Sequence, residues 1–129
     1  MDGLSLRDSS EKIAVVVDDE PQIRKALAGL LSAAQFMVAE FSSAADVLKS
    51  GLLQRACCLI TDVRMPGMSG LELESIVRLE FPELPVFVIT AHRDGQLEKA
   101  GALGSMTRLF YKPLDPDALL SAIKSVTDS

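Results

Sequence analysis

What this sequence lacks narrows the field first. It lacks positive charge: 18 Asp and Glu stand against 13 Lys and Arg, for a net charge of −5 and a pI near 4.8. Non-specific binding to nucleic acid or anionic lipid needs a basic field, so direct nucleic-acid binding by this chain is not expected. It lacks long apolar runs. The longest, such as Ile13 to Val17, extend about five residues against the ~20 of a membrane span. Met1 to Lys12 is polar and has no apolar signal-peptide stretch. A cytoplasmic protein without membrane contact is expected. Cysteine is scarce, with only the adjacent pair Cys57 and Cys58. In a regular strand, neighbours point to opposite faces, so neither a disulfide framework nor a thiolate metal site is expected, and both read as small apolar strand residues. The phosphate-cradling patterns G-x-G-x-x-G and G-x-x-x-x-G-K-[ST] are also absent, which argues against a nucleotide or flavin binder.

What is present suits one domain. The chain has 129 residues, 48 % of them apolar, enough for a single sizeable core. Ile13 to Val17, Ala56 to Thr61, Pro85 to Thr90 and Thr107 to Tyr111 are short and nearly continuous apolar runs, and Phe36 to Phe41 is a more mixed fifth. Runs buried on both faces are the mark of a parallel sheet. Helical spacing falls between them. Ile23, Ala26, Leu27, Leu30, Leu31 and Ala34 form one stripe behind Pro21. Leu73, Ile76, Val77 and Phe81 form another, opened by a Ser69/Glu72 capping box. Leu119, Leu120, Ile123 and Val126 form a third, with Asp115 as N-cap before Pro116. Shorter helices are expected over Ala44 to Lys49 and Gly95 to Leu103. Strand and helix alternate five times, which predicts a three-layer α/β domain with right-handed crossovers and helices on both faces. Residues 1–11 read as a loose tail and residues 12–127 as the domain.

The chemistry sits after the strands. Ile13 to Val17 runs into Asp18, Asp19 and Glu20; Ala56 to Thr61 runs into Asp62, Pro85 to Thr90 ends at Thr90, and Thr107 to Tyr111 is followed by Lys112. Ligands of open parallel sheets bind beyond the carboxyl ends of the strands. Three carboxylates and one ammonium leave about −2 in a small crevice, a repulsion that raises carboxylate pKa values unless a cation compensates. All-oxygen ligands with no nearby His or Cys point to Mg²⁺. A divalent cation and an ammonium around a carboxylate are also the equipment for accepting a phosphoryl group.

The stretches VVVDDEP, LITDVRMPGMSGLEL, VFVITAH and LFYKPLD resemble, in order and spacing, the receiver domain of two-component response regulators. The MPGMSGLEL and DDEP segments are most similar to the FixJ-like subfamily, whose members usually continue into a C-terminal helix-turn-helix DNA-binding domain. The resemblance implies a doubly wound (βα)5 flavodoxin-like, CheY-like fold with a five-stranded parallel sheet of order 2-1-3-4-5. It implies that Asp62 is the phosphoacceptor for a sensor histidine kinase, that Asp19 is a direct Mg²⁺ ligand and that Asp18 holds the metal partly through water. The backbone carbonyl of Arg64 would be a further ligand. Lys112 would pair with the carboxylate and then with the phosphoryl oxygens, Thr90 would be the switch hydroxyl, and the Lys112–Pro113 bond would be cis. The protein would assist its own phosphorylation and dephosphorylation without being an enzyme. Its output would be transcription through a domain absent from this chain, or protein contacts of a single-domain receiver, since Ser129 falls where both kinds of receiver stop. Homodimerisation on phosphorylation would use the face of the fourth helix, fifth strand and fifth helix, or one nearby.

The sequence departs from the family pattern in two places. The aromatic usually found three residues before the lysine is Leu109, with Phe110 and Tyr111 next to it. Either Leu109 carries the coupling to Thr90 or a neighbouring ring has taken over. The usual Gly-Ala seven residues before the lysine is replaced by Gly104-Ser105 at eight and Gly101-Ala102 at eleven, an insertion on the approach to the last strand. Glycines between Asp94 and Gly104 predict a weak helix there, suited to move. Arg64 and His92 are either solvated loop residues or neighbours that tune phosphoryl lifetime, and Glu20 either reaches the metal through water or offsets a helix dipole. An aspartyl-phosphate hydrolase of the haloacid dehalogenase type is the enzyme alternative, but its second Asp is here Arg64. A degenerate receiver would have lost residues that this chain keeps.

Overall fold

A computed structural model of the chain describes residues 12–91 and 104–127. The first run forms β1 (Ile13–Val17), buried at every position because both of its faces are covered. Pro21 starts α1 (Pro21–Ala33), where its missing N–H removes no helical bond. The chain then leaves through Gln35 at φ 75°, and Phe36 N–H closes back onto Leu31 O at 3.0 Å. β2 (Met37–Phe41) is a half-exposed edge strand, which accounts for its mixed composition. Ser43 Oγ accepts from Asp46 N–H to open α2 (Ala44–Ser50), which Gly51 ends at φ 73°. A short 3-10 turn (Leu52–Gln54) leads to β3 (Ala56–Asp62). The expected capping box opens α3 (Gly70–Glu80), with both reciprocal bonds formed between Ser69 and Glu72. β4 (Val86–Thr90) and β5 (Thr107–Tyr111) follow. Asp115 Oδ1 then accepts from Asp117 and Ala118 N–H at the start of α4 (Pro116–Thr127).

The five strands are all parallel in the order β2-β1-β3-β4-β5, the expected doubly wound topology. Two apolar layers fill it. Val15, Val17, Leu59 and Val88 meet α2 and α3 through Val47, Leu73 and Val77, while Ala14, Val16, Ile60 and Phe87 meet α1 and α4 through Leu27, Leu31, Leu119 and Ile123. Among the described residues, no helix is long and apolar enough to cross a membrane. The expected helix over Gly95 to Leu103, His92 and the tail over residues 1–11 lie outside the described residues.

One expectation is corrected. Cys57 and Cys58 do not face opposite ways. The β1–β3 register jumps from Ile13↔Ala56 to Ala14↔Cys58, leaving Cys57 as the extra residue of a β-bulge. Both cysteines pack into the layer shared with α1 and α4. The period-two rule fails there because it assumes an uninterrupted pleat. Neither forms a disulfide.

Candidate functional site

Four strand ends build the site. Asp18 follows β1 and is drawn under the surface, 2 % exposed, by its backbone. Its N–H donates to Phe41 O on β2 at 3.2 Å, and its carbonyl accepts from Arg24 Nη1 at 2.7 Å. Its Oδ1 accepts from Glu20 N–H at 2.9 Å. The Arg24 guanidinium in turn lies 3.5 Å from Glu40 Oε1 on the edge strand. Sequence reasoning passed over Arg24 and Glu40, since an Arg inside an amphipathic helix carries no signal of its own. Asp19 stands next to Asp18 at the exposed mouth.

Asp62 is the last residue of β3. Val63 N–H donates to Oδ1 at 2.9 Å, and Lys112 Nζ lies 3.6 Å from Oδ2, so the carboxylate is oriented from two sides. One oxygen from each of Asp18, Asp19 and Asp62 lies within 4.8 Å of the others. Burial pushes the Asp18 carboxyl above its ordinary value; the Glu20 N–H opposes this and the Asp62 charge adds to it. Burial likewise raises Asp62, with Lys112 and Val63 N–H pulling the other way and Asp19 pushing up. Two buried acids raised in this way, beside a third, form an all-oxygen donor set fit for a divalent cation.

Backbone crowding sets where Asp62 sits. After Asp62 the chain turns through Gly67, at φ 79°, and returns so that Gly70 N–H donates to Val63 O at 2.9 Å. A Cβ on Gly70 would stand 1.9 Å from Asp62 O and 3.0 Å from Thr61 Oγ1. The first turn of α3 therefore rests directly on the phosphoacceptor candidate's backbone, and Thr61 Oγ1 donates to that same carbonyl at 2.9 Å. Arg64, on this loop, is exposed.

Thr90 ends β4 and is 1 % exposed. Its carbonyl accepts from Lys112 N–H at 2.9 Å, which ties the ends of β4 and β5 together. The Lys112–Pro113 peptide is cis, as expected. The question left by Leu109 is narrowed by register. Thr90 pairs with Tyr111 and Val88 with Leu109, so Leu109 and Tyr111 share Thr90's face of the sheet. Phe110 lies on the other face, its ring centroid 6.1 Å from that of Phe87. Of the two rings, only Tyr111 is on the side where Thr90 points.

A residue that the sequence reading passed over holds the start of β5. Glu74 on α3 is 1 % exposed; its Oε2 accepts from Gly104 N–H at 3.0 Å and from Thr107 Oγ1 at 2.7 Å, and Arg78 Nη2 lies 3.3 Å from its Oε1. The available signal was an acid at a core position, between Leu73 and Val77 on the buried face of α3.

Comparison with known proteins adds a family. Residues 14–124 match the response regulator receiver domain. The chain is 38 % identical over 111 residues to the transcriptional regulatory protein FixJ of Azorhizobium caulinodans, covering 85 % of this chain and 52 % of that protein. It thus spans about half the length of this curated relative. Among solved structures, the response regulator StyR superposes with a TM-score of 0.78 at 33 % identity, over 92 % of this chain and 60 % of that one. The BeF3-activated receiver domain of DrrB gives 0.81 at 26 % identity, over 92 % and 99 %.

Proposed function

The chain belongs to the response regulator receiver domain family, and from that premise we propose that it is a phosphorylation-dependent switch in which Asp62 accepts a phosphoryl group from the phosphohistidine of a sensor kinase. The observation that carries this reading is the crevice itself. Three carboxylate oxygens lie within 4.8 Å of one another, and Lys112 Nζ lies 3.6 Å from Asp62 Oδ2. A carboxylate oxygen of Asp62 attacks phosphorus in line; the O–P bond forms as the donor's N–P bond breaks, and the imidazole leaves with the electron pair. Lys112 draws charge off the phosphoryl oxygens, while Val63 N–H keeps the carboxylate from turning away. Asp18, Asp19, Asp62 and the backbone carbonyl of Arg64 would hold Mg²⁺, which supplies neutralising charge for those oxygens when bound. The cation is proposed from the hard-oxygen donor set.

The phosphorylated carboxyl carries three acceptor oxygens in place of one carboxylate, and Thr90 is the hydroxyl proposed to bond to them. Leu109 and Tyr111, on Thr90's face, are placed to feel that movement. An apolar cleft of about 630 Å³, lined by Ile23, Leu27, Leu30, Ile89 and Leu114, opens beside Lys112, and the kinase segment bearing the phosphohistidine is proposed to dock there. The switch then favours a homodimer through β5 and its neighbouring helices, in the cytoplasm. It controls transcription through a further domain, as FixJ's name and the half-length match support.

Acetyl phosphate with Mg²⁺ tests this. One phosphoryl adduct is expected by intact mass, lost in Asp62→Asn and in chelator. An unchanged adduct in Asp62→Asn moves the site, and no adduct under any condition ends the reading. Steady turnover of a phosphate monoester would replace it with a hydrolase. Thr90→Ala should still be phosphorylated but should not dimerise.

A further inference from the structure

The adjacent cysteines lie at the opposite end of β3 from Asp62, and the bulge gives them a geometry that a regular strand would not. With Cys57 as the extra residue, both side chains join the same packed layer instead of splitting between faces. Their exposure differs. Cys58 is 0 % exposed, whereas Cys57 is half-buried and lines an open surface cleft of about 510 Å³ with Gln54, Pro82 and Glu83. The Cys57 sulfur, within hydrogen-bonding reach, holds the Cys58 thiol above its usual range, and burial adds to this. The two side chains thus sit side by side in one layer, Cys57 open to the cleft and Cys58 buried behind it.

We propose that Cys57 and Cys58 form a two-thiol binding site for a soft, thiophilic ligand of the trivalent arsenical class. A disulfide is a poor product for this pair, because adjacent Cα atoms are about 3.8 Å apart and disulfides want roughly 4.4–6.8 Å. An arsenic atom set between the sulfurs lengthens the bridge and removes that conflict. The reaction is a condensation without redox change. The arsenic–oxygen double bond of an arsenoxide is exchanged for two arsenic–sulfur bonds, and the two thiol protons leave with the oxygen as one water. Soft thiolate ligands select soft acceptors, so this site and the hard-oxygen crevice at the other end of β3 do not compete for the same ion.

Neutral reagents test it, since Glu83 on the cleft would repel anionic ones. Iodoacetamide should alkylate Cys57 of the folded chain and spare Cys58; modification of both, or of Cys58 alone, overturns the arrangement. Phenylarsine oxide should add one phenylarsine less one water to the intact mass, and the adduct should be lost in Cys57→Ser and in Cys58→Ala, the latter placing no polar atom in the core. Adjacent cysteines of an unfolded chain also chelate arsenic, so the melting midpoint decides which state binds. Binding to the folded chain leaves the midpoint unchanged or raises it. A lowered midpoint, or an adduct that survives either substitution, overturns the proposal.

Discussion

Gly70→Ala is the smallest change that should disturb Asp62 without touching a charged group. The new Cβ would lie 1.9 Å from Asp62 O and 2.9 Å from its carbonyl carbon. Carbon–oxygen contacts close at about 3.4 Å, so either the first turn of α3 or the Asp62 carbonyl must give way by roughly 1.5 Å. Both neighbours are backbone and cannot swing aside as a flexible side chain would. The carbonyl is further held by Thr61 Oγ1 at 2.9 Å, and the helix by Gly70 N–H on Val63 O. Overpacking of this kind costs on the order of 1–3 kcal/mol or somewhat more, a drop in melting temperature of roughly 4–15 °C for a domain of this size. The displaced group is the backbone of the proposed acceptor residue, so the rate of phosphorylation by acetyl phosphate should fall further than stability alone explains. Gly29→Ala is the control. Gly29 lies inside α1 with nothing within 4 Å of its Cβ position, and the same substitution there should stabilise by about 0.5–1 kcal/mol. Calorimetry and phosphorylation kinetics on both variants decide the matter. If Gly70→Ala melts with wild type and is phosphorylated at the wild-type rate, the close approach does not constrain the site.

Two further outcomes follow from the buried acids. Asp18 and Asp62 are raised above the usual carboxylate value of 3.8, so between that value and their raised values the folded chain binds more protons than the unfolded one, and unfolding free energy falls as pH rises. In metal-free buffer, Asp18→Asn should flatten that decline and be more stable than wild type at neutral pH, while Mg²⁺ should stabilise wild type and not the variant; a variant that declines as steeply as wild type refutes the linkage. Glu74→Leu should destabilise by on the order of 2–4 kcal/mol in urea titrations, because it strips charge-assisted bonds from Gly104 N–H and Thr107 Oγ1. Glu74→Gln, which keeps an acceptor oxygen, should lose less, and a Leu variant as stable as wild type would show that the network contributes nothing.

Much of this was legible because the folding code and the chemistry use the same residues. The five apolar runs matched five strands to within a residue or so, since a strand covered on both faces has to be apolar throughout. The helix starts at Ser69 and Asp115 were legible because capping is a local bond between a side chain and a nearby N–H. The convergence of Asp18, Asp19, Asp62 and Lys112 followed from topology alone, since parallel strands deliver their C-terminal ends to one edge. What the sequence hid depends on register and distance. The bulge at Cys57 exists only as a mismatch between two strands, invisible in either one. Glu74 bonds residues 30 and 33 positions away, so nothing local marks it apart from an acid at a core position. The side on which Phe110 and Tyr111 fall relative to Thr90 needed the observed pairing of β4 and β5.

Two kinds of buried acid in one small domain show how site and scaffold divide. Glu74 is closed in on every side by donors: a backbone N–H, a hydroxyl and the Arg78 guanidinium. A carboxylate so supplied has little left to offer a ligand, and its work is to hold the start of β5 on α3. Asp18 and Asp62 are buried to a similar degree but face one another and Asp19, with a single lysine between them and about −2 left over from the net charge of −5. Water would solvate those charges better than the fold does, which is why burial raises both carboxyls. The backbone donors at Glu20 and Val63 orient the oxygens without neutralising them. An acid that the fold buries, orients and leaves short of positive charge is poised to take that charge from outside, and a divalent cation is one way to supply it. The deficit of positive charge at Asp62, set against its sufficiency at Glu74, separates the carboxylate proposed to react from the structural one.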